Sequence, residues 1–596
     1  MTMQLESPAL DDAAVAAVAQ QWLTGFAELL RAGTGAEAVL HTDLWWRDLL
    51  AFSGDLRTLH GADRIGAVLD VARGQQVRDE LLEPVAPPVL LPAAAGPGSI
   101  QLLFRFDTRL GHVRGVARLV CDDGTWRARN LLTALDSLAG REAAIGARRP
   151  EGTEMPADRV EYWSARRERE LDCRDGDPDV LVIGAGHSGL ALAAQLGVLG
   201  VRTLLVDRAD RVGDNWRGRY DSLVLHDAVW SNHLPFLPFP SNWPVFTPKD
   251  KMGDWLEIYS RAMELDVWNR SEVVESTFDP GTRRWTVVVD RDGTRRTLRP
   301  QHLVLATGLS GTEPVMPAFA GADDFAGELL HSSEYRTEPA RRGTRTVVIG
   351  TGNSGHDIAQ DLHEAGAEVT LIQRGPTHVV SGQALAKQAR RRYAEHTDTD
   401  TDVADLLDAA TARRDPQFVA GLRMGVGVLA DHDRELLDGL AARGFSHDGG
   451  PDGTGVMMLF LGRNGGYYID VGASPMIVDG RIGLVSGTID RLDADGLVMS
   501  DGTRVPADTI VCATGFRGIL DTARRVLGDA VADACGPVWG LDDEGELRSV
   551  WRRSGHDRFW IHGGNFMLVR NYSKYLALQI QADLAGVELP ALGRRV

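Results

Sequence analysis

The chain has 596 residues, 64 Lys+Arg against 83 Asp+Glu, and a formal net charge of −19. That length suits roughly three or four domains of ~100–200 residues, and the negative balance argues against nucleic acid or an anionic membrane surface as the main partner. Four cysteines, Cys121, Cys173, Cys512 and Cys535, include no C-x-x-C pair, so a dithiol redox centre, a cysteine-based metal site and a disulfide scaffold are not expected.

Residues 1–150 read as a separate unit. The acidic start, MTMQLESPALDD, has no charged-then-apolar leader pattern, and with the reduced cysteines this predicts a cytoplasmic protein without an integral membrane segment. Val15 to Arg31 has helical apolar spacing, and Gln101–Phe106, Val113–Cys121 and Thr125–Ala134 alternate as strands between turn signals. A helix followed by a curled antiparallel sheet is the result. Trp45 to Gly61 (WWRDLLAF…DLRTLHG) and Asp123 to Gly140 (DGTWRARNLLTALDSLAG) resemble the NTF2-like (SnoaL-like) cone fold. That resemblance implies an α+β cup with an apolar pocket and pairing through open sheet faces, hence a homodimer. Trp45 and Trp46 are read as core packing rather than ligand contacts. Residues 151–177 mix charges of both signs and read as a solvated helical linker.

From Asp179 the pattern changes. Val180 to Val201 nearly reaches membrane-span length but carries five glycines, His187, Ser188 and Gln195, so it reads as a buried strand, turn and helix. Gly184, Gly186 and Gly189 form G-x-G-x-x-G after that strand. The first permits the tight turn, the second lets the backbone approach a pyrophosphate, and the third allows close helix–strand packing, with Ser188 beside it at the helix start. Asp207 ends the next strand 18 residues after Gly189. A carboxylate there accepts from ribose hydroxyls and repels a 2′-phosphate. Arg208 to Trp216 (RADRVGDNW) resembles the second FAD contact of flavoprotein monooxygenases, which implicates Asn215 and Trp216, although Asp214 stands where a second glycine is usual. FAD is therefore expected in this cradle.

The same grammar recurs at Thr346 to Arg374. Gly350, Gly352 and Gly355 (GTGNSG, with Asn353 and Ser354) follow a strand, and the next strand ends at Gln373–Arg374. Arg374 can pair with a 2′-phosphate where an acid would repel it, which favours NADPH over NADH. The alternative is a surface Arg on a degenerate unit. Thr307 and Gly308 in LVLATG, and Gly515 in IVCATGF, end two further apolar strands. The stretch Glu395 to Ala410 reads as a solvated, helix-poor acidic face.

Phe325 to Tyr335 (FAGELLHSSEY) matches F-x-G-x-x-x-H-x-x-x-[WYF] ahead of the second glycine loop. With GAGHSG, GTGNSG and CATGF, it makes residues 178–596 resemble the class B flavin-containing monooxygenases. The final Tyr335, and His226 with Pro238–Pro244 (PFPSNWP), point to the YUCCA-like branch. The resemblance implies an α/β architecture of two Rossmann-like domains. A FAD-binding domain begins at 178–309, is interrupted by an inserted NADP-binding domain over 310–514, and resumes at 515–596, all behind the 1–150 unit and the 151–177 linker. It implies that His331 is a structural or hinge residue between domains rather than a proton-transfer group. His226 stays open between a catalytic role and a packing or FAD-contacting one.

Ile561 to Gly586 reads as a Gly-Gly turn before a long amphipathic helix whose start, with Asn565, would face the flavin. Arg570 either strengthens the field there or caps the helix. The implied activity is transfer of one oxygen atom from O2 to a small amine, sulfide or carbonyl substrate through a flavin C4a-(hydro)peroxide, with no metal. The alternatives are Baeyer–Villiger oxygenation, oxidative decarboxylation of a 2-oxo acid, or a non-oxygenating NADPH oxidase or flavin sensor.

Overall fold

The computed structural model describes residues 10–92, 98–152, 162–309, 312–337, 341–393 and 400–592. Helix α1 (Asp12–Ala32) buries the stripe Val15, Ala19, Trp22, Leu23, Phe26 and Leu30; Asp11 caps it by accepting from Ala14 N–H, and Gly33, at φ +72°, ends it. With α2 (Ala62–Gly74) it packs on a curled sheet of β1 (Leu40–Leu49), β2 (Leu56–His60), β3 (Arg78–Pro84), β4 (Val89–Leu91), β5 (Ser99–Asp107), β6 (Gly111–Asp122) and β7 (Thr125–Leu138). The order is β2-β1-β7-β6-β5-β3, with β4 also on β5. The β1–β7 pair is parallel and its neighbours are antiparallel.

Between helices and sheet the rings of Trp22, Phe26, Trp46, Phe52, Phe104 and Phe106 lie 4.8–6.1 Å apart, centroid to centroid. These aromatics pack on one another, each adding contact energy beyond its buried area. Trp46 is buried and donates Nε1–H to Thr133. The helix α3 (Trp163–Leu171) buries no residue, and its Arg167 pairs with Glu170 and Asp266. Residues 153–161 of the charged stretch lie outside the described residues.

The remaining chain builds two parallel sheets. The first has the order β10-β9-β8-β14-β25, from β8 (Val180–Ile183), β9 (Thr203–Val206), β10 (Asp266–Trp268), β14 (His302–Leu305) and β25 (Phe559–Ile561). An antiparallel meander, β11 (Ser271–Asp279), β12 (Arg284–Arg291) and β13 (Thr294–Leu298), precedes β14. The second sheet has the order β15-β24-β16-β17-β20, from β15 (Glu328–His331), β16 (Arg345–Ile349), β17 (Glu368–Gln373), β20 (Gly483–Ser486) and β24 (Thr509–Cys512). Between those strands come the pair β18 (His378–Ser381) and β19 (Tyr467–Asp470), and the meander β21 (Ile489–Asp493), β22 (Gly496–Met499) and β23 (Arg504–Pro506). The chain leaves the first sheet after β14, completes the second, and returns at β25. Among the described residues no helix is long and apolar enough to cross a membrane.

Two expectations are corrected. The acidic stretch is not a solvated face: α6 (Thr401–Ala409) buries Ala404, Asp405, Leu406 and Ala409. Its carboxylates have partners, since Asp402, Asp405 and Asp408 pair with Arg114, Arg570 and Arg392. Residues 395–399 lie outside the described residues. The C-terminal helix α7 (Phe566–Leu584) is buried all round rather than amphipathic. One side packs on the helix α4 (His187–Val198) and another on β7 of the first unit.

Candidate functional site

Each parallel sheet carries a glycine loop after its middle strand, and the two loops are near copies. Gly184 (φ +105°) and Gly350 (φ +114°) adopt a backbone that disfavours L side chains, and a Cβ there would lie 2.7 Å from Ala306 O and 2.5 Å from Ala513 O. A Cβ on Gly189 would collide with Gly184 O, and one on Gly355 with Gly350 O. The middle glycines differ from these. A Cβ on Gly186 would meet the protein only at Asn215 Nδ2, 3.4 Å away, and one on Gly352 only at Tyr467 O, 3.9 Å away. Space above the middle glycine that the protein leaves open suits an approaching phosphate.

The first loop opens into a cleft lined by Gly184, Gly186, Ser188, Asp207, Asn215, Thr307 and Gly308. Asp207 accepts from Ala185 N–H at 2.7 Å and Ala209 N–H at 2.9 Å, which fixes its carboxylate at the mouth. Thr307 Oγ1 and Trp216 Nε1 are buried without a hydrogen-bond partner, as expected of groups that a bound polar molecule would satisfy. Trp216 lies 6.0 Å from Phe566, which stacks 4.4 Å from His187. Asn565 caps α7 by accepting from Leu568 N–H and donates to Asp227. These residues fit FAD.

At the second loop, Asn353 accepts from Ile469 N–H and begins the helix α5 (Asn353–Glu364), with Ser354 after it. Gln373 is buried and exchanges two hydrogen bonds with the backbone of Ser446. Arg374, the next residue, is exposed and forms no ion pair with a carboxylate among the described residues, so it remains open to an anion. This set fits a dinucleotide carrying a 2′-phosphate.

His226 does not stand in the first cleft. Its Nε2 lies 3.1 Å from Asp357 Oδ2 on α5, and Tyr220 OH donates to that same oxygen at 2.6 Å. Burial would lower the His226 pKa, but the Asp357 carboxylate overcomes it and the net direction is up. Asp357 and Tyr220 escaped the sequence reading as site residues; the former lies two positions after the last glycine of the motif, in GTGNSGHD. His331 donates Nε2–H to Gly515 O at 3.0 Å, and burial holds it below the ordinary histidine range. A neutral ring that pins the Gly515 turn to β15 is a structural arrangement.

Arg570 is not brought to either loop. It grips Asp405 with two bonds of 2.7 and 2.6 Å and donates to Ser231 O and His233 O. A second buried network joins the first unit to the rest of the chain. Arg47, 1% exposed, makes two 2.7 Å bonds to Glu546 and donates to Tyr572 OH and Ala409 O. Arg57–Glu544, Arg552–Asp55, Arg129–Asp415 and Lys574–Asp136 complete the junction. The sheet face expected to pair two copies is thus occupied by the chain's own second half.

Residues 178–414 match the family model "Pyridine nucleotide-disulphide oxidoreductase". The chain is 31% identical over 360 residues to the indole-3-pyruvate monooxygenase YUCCA1 of Oryza sativa subsp. japonica, covering 59% of this chain and 80% of that protein. It is 30% identical over 343 residues to the probable indole-3-pyruvate monooxygenase YUCCA10 of Arabidopsis thaliana, covering 57% and 81%. Among solved structures, a flavin-containing monooxygenase from Stenotrophomonas maltophilia is similar at 20% identity and TM-score 0.45, over 69% of this chain and 99% of that one. The coverage and identity to the two plant relatives establish that the chain belongs to the flavin monooxygenase family, as an NADPH-dependent enzyme that uses FAD.

Proposed function

We propose that the first cradle (Gly184, Gly186, Ser188, Gly189, Asp207, Asn215, Trp216, Thr307, Gly308 and Asn565) holds FAD. The second (Gly350, Gly352, Asn353, Ser354, Gly355, Arg374 and the Gly515 turn) holds NADPH. On this assignment residues 178–309 and 515–596 form the FAD-binding domain, 310–514 the inserted NADP-binding domain, and 151–177 the linker. The enzyme transfers one oxygen atom of O2 to a small amine, sulfide or carbonyl compound. FAD, when bound, supplies the hydride acceptance and oxygen activation that side chains lack.

This chain's residues do the placing. Asp207 receives ribose hydroxyls, and the N–H groups at the starts of α4 and α5 receive phosphates. His226, its pKa raised by the Asp357 carboxylate, ties the first half to the helix of the second cradle. The stacked His187, Phe566 and Trp216 exclude water beside the first loop. The observation that carries the assignment is the contrast between Asp207 and Arg374 on matching strand ends. Arg374→Glu should erase the preference for NADPH over NADH in steady-state KM values; an unchanged preference would refute it.

A second reading, oxidative decarboxylation of a 2-oxo acid, draws on the names of the two plant relatives. Carbon dioxide release from indole-3-pyruvate under NADPH would favour it, whereas peroxide equal to NADPH consumed, with no product, would favour an oxidase. We also assign residues 1–150 to the NTF2-like cone fold, on the β1–β7 parallel pair and the two helices on one sheet face. Its packed aromatics make it a structural partner of the flavin half.

A further inference from the structure

A cavity of about 550 Å³ lies where the two halves meet, away from both glycine loops. Ala134 to Ser137 of β7 form one wall, Arg570, Asn571, Lys574 and Tyr575 of α7 another, and the start of α6 a third. The loop Leu234–Pro238, two leucines and two prolines around Phe236, supplies an apolar side. The volume lies within the range of small-molecule sites.

The charged groups lining it are already engaged or in water. Arg570 pairs with Asp405, Arg114 with Asp402, and Lys574 with Asp136. Glu142 bonds His112, and Arg148 and Asp400 are solvent-exposed. A charged ligand would have to break one of these pairs and leave a desolvated partner behind. The unused groups are neutral. Tyr575 is 4% exposed and Ser137 7%, and neither hydroxyl forms a hydrogen bond among the described residues. His233, also on the wall, accepts Phe239 N–H at Nδ1. Burial and the neighbouring Arg570 push its pKa down to about 4, so its proton sits on Nε2 as a third neutral donor.

We propose that this junction cavity binds an uncharged organic molecule, a ketone or alcohol with an apolar body, between Tyr575 and Ser137. The polar end meets the two hydroxyls and the body lies on Leu234–Pro238. Because Ser137 belongs to the first unit and Tyr575 to the flavin half, the site exists only in the joined protein. Its use as a holding place for the oxygenation substrate rests on the proposed function, whereas the binding itself does not.

The test is calorimetric titration of the FAD-loaded full chain with benzylacetone, phenylpropylamine and hydrocinnamate, which share an aromatic body and differ in charge. Benzylacetone should bind once per chain, and the charged pair at least roughly tenfold more weakly. Tyr575→Phe and Ser137→Ala should each weaken benzylacetone about fivefold, the worth of one neutral hydrogen bond, with unchanged flavin absorbance. Ser137→Phe, which fills the space, should abolish binding. Equal affinity for the three probes, no benzylacetone binding at millimolar concentration, or indifference to all three substitutions would overturn the proposal. NADPH oxidation followed separately keeps the two readings apart. Benzylacetone binding without any oxygenation defeats the monooxygenase substrate reading alone, and oxygenation insensitive to Tyr575→Phe and Ser137→Phe defeats only the cavity's role as a holding place.

Discussion

The two glycine loops share a backbone but differ at the strand that follows. In both, the first glycine turns under a carbonyl of a neighbouring strand end, Ala306 in one and Ala513 in the other, and the third presses on the first. At the next strand end, one loop holds a carboxylate fixed by two backbone N–H groups, Asp207, and the other an exposed cation, Arg374, beside a buried Gln373. On the proposed assignment, backbone shape makes a phosphate cradle, and a single side chain some twenty residues on decides which dinucleotide suits it.

The largest effect expected separates the glycines. Gly189→Ala drives a methyl into Gly184 O and should yield colourless, poorly folded protein, while Gly355→Ala should leave the flavin bound and remove NADPH-driven reduction; absorbance and reduction rate read both. Gly186→Val meets no backbone and should lose the flavin while the circular dichroism spectrum stays native. If Gly186→Val retained yellow colour, the first cradle would be misassigned.

The junction comes next. Removing one partner of a fully buried pair, as in Glu546→Gln, should cost about 3–5 kcal/mol and be visible in chemical denaturation. Burial raises the Glu546 pKa, yet Arg47 and Arg413 outweigh it and bring it to about 2 from an ordinary 4.5. With a depressed folded pKa, the pairing stabilises fully above 4.5 and is lost as pH falls from there towards 2. Acid titration of Glu546→Gln should show a flatter stability profile over that window.

Arg374→Glu follows, with a rise of roughly 10–100-fold in KM for NADPH, the span of a charge-assisted contact, and little change for NADH. The smallest effect concerns His226. Its folded pKa is raised, so the attraction to Asp357 is complete below the ordinary 6.5 and fades as pH climbs through the shifted value. KM for NADPH should drift upward with alkalinity in the native enzyme, and His226→Asn should flatten that drift.

Much of this was legible in one dimension because it depends on local rules. The G-x-G-x-x-G spacing, the apolar strands before it and the acid or cation after it are all set within about thirty residues. The α1 helix and strands β5 to β7 were readable from period alone. The reading failed where the partner is remote. The acids of α6 look solvated until Arg114, Arg392 and Arg570 are seen to neutralise them. Helix α7 looks amphipathic until α4 and β7 cover both its sides. The role of Arg570 stayed open between the flavin field and a helix cap because its bond to Asp405, 165 positions away, carries no sequence signature.

The amino-acid order alone therefore determined two glycine loops, the difference in charge beside them and the family the chain belongs to, since each is a short-range pattern of backbone freedom and one side chain. Tertiary structure alone decided that the first unit is welded to the rest of the chain by buried Arg47, Glu546 and Tyr572, that His226 meets Asp357, and that a cavity opens between Ser137 and Tyr575. Those outcomes depend on which desolvated groups find each other across long stretches of chain, and pairing at that range leaves no period or spacing in the sequence.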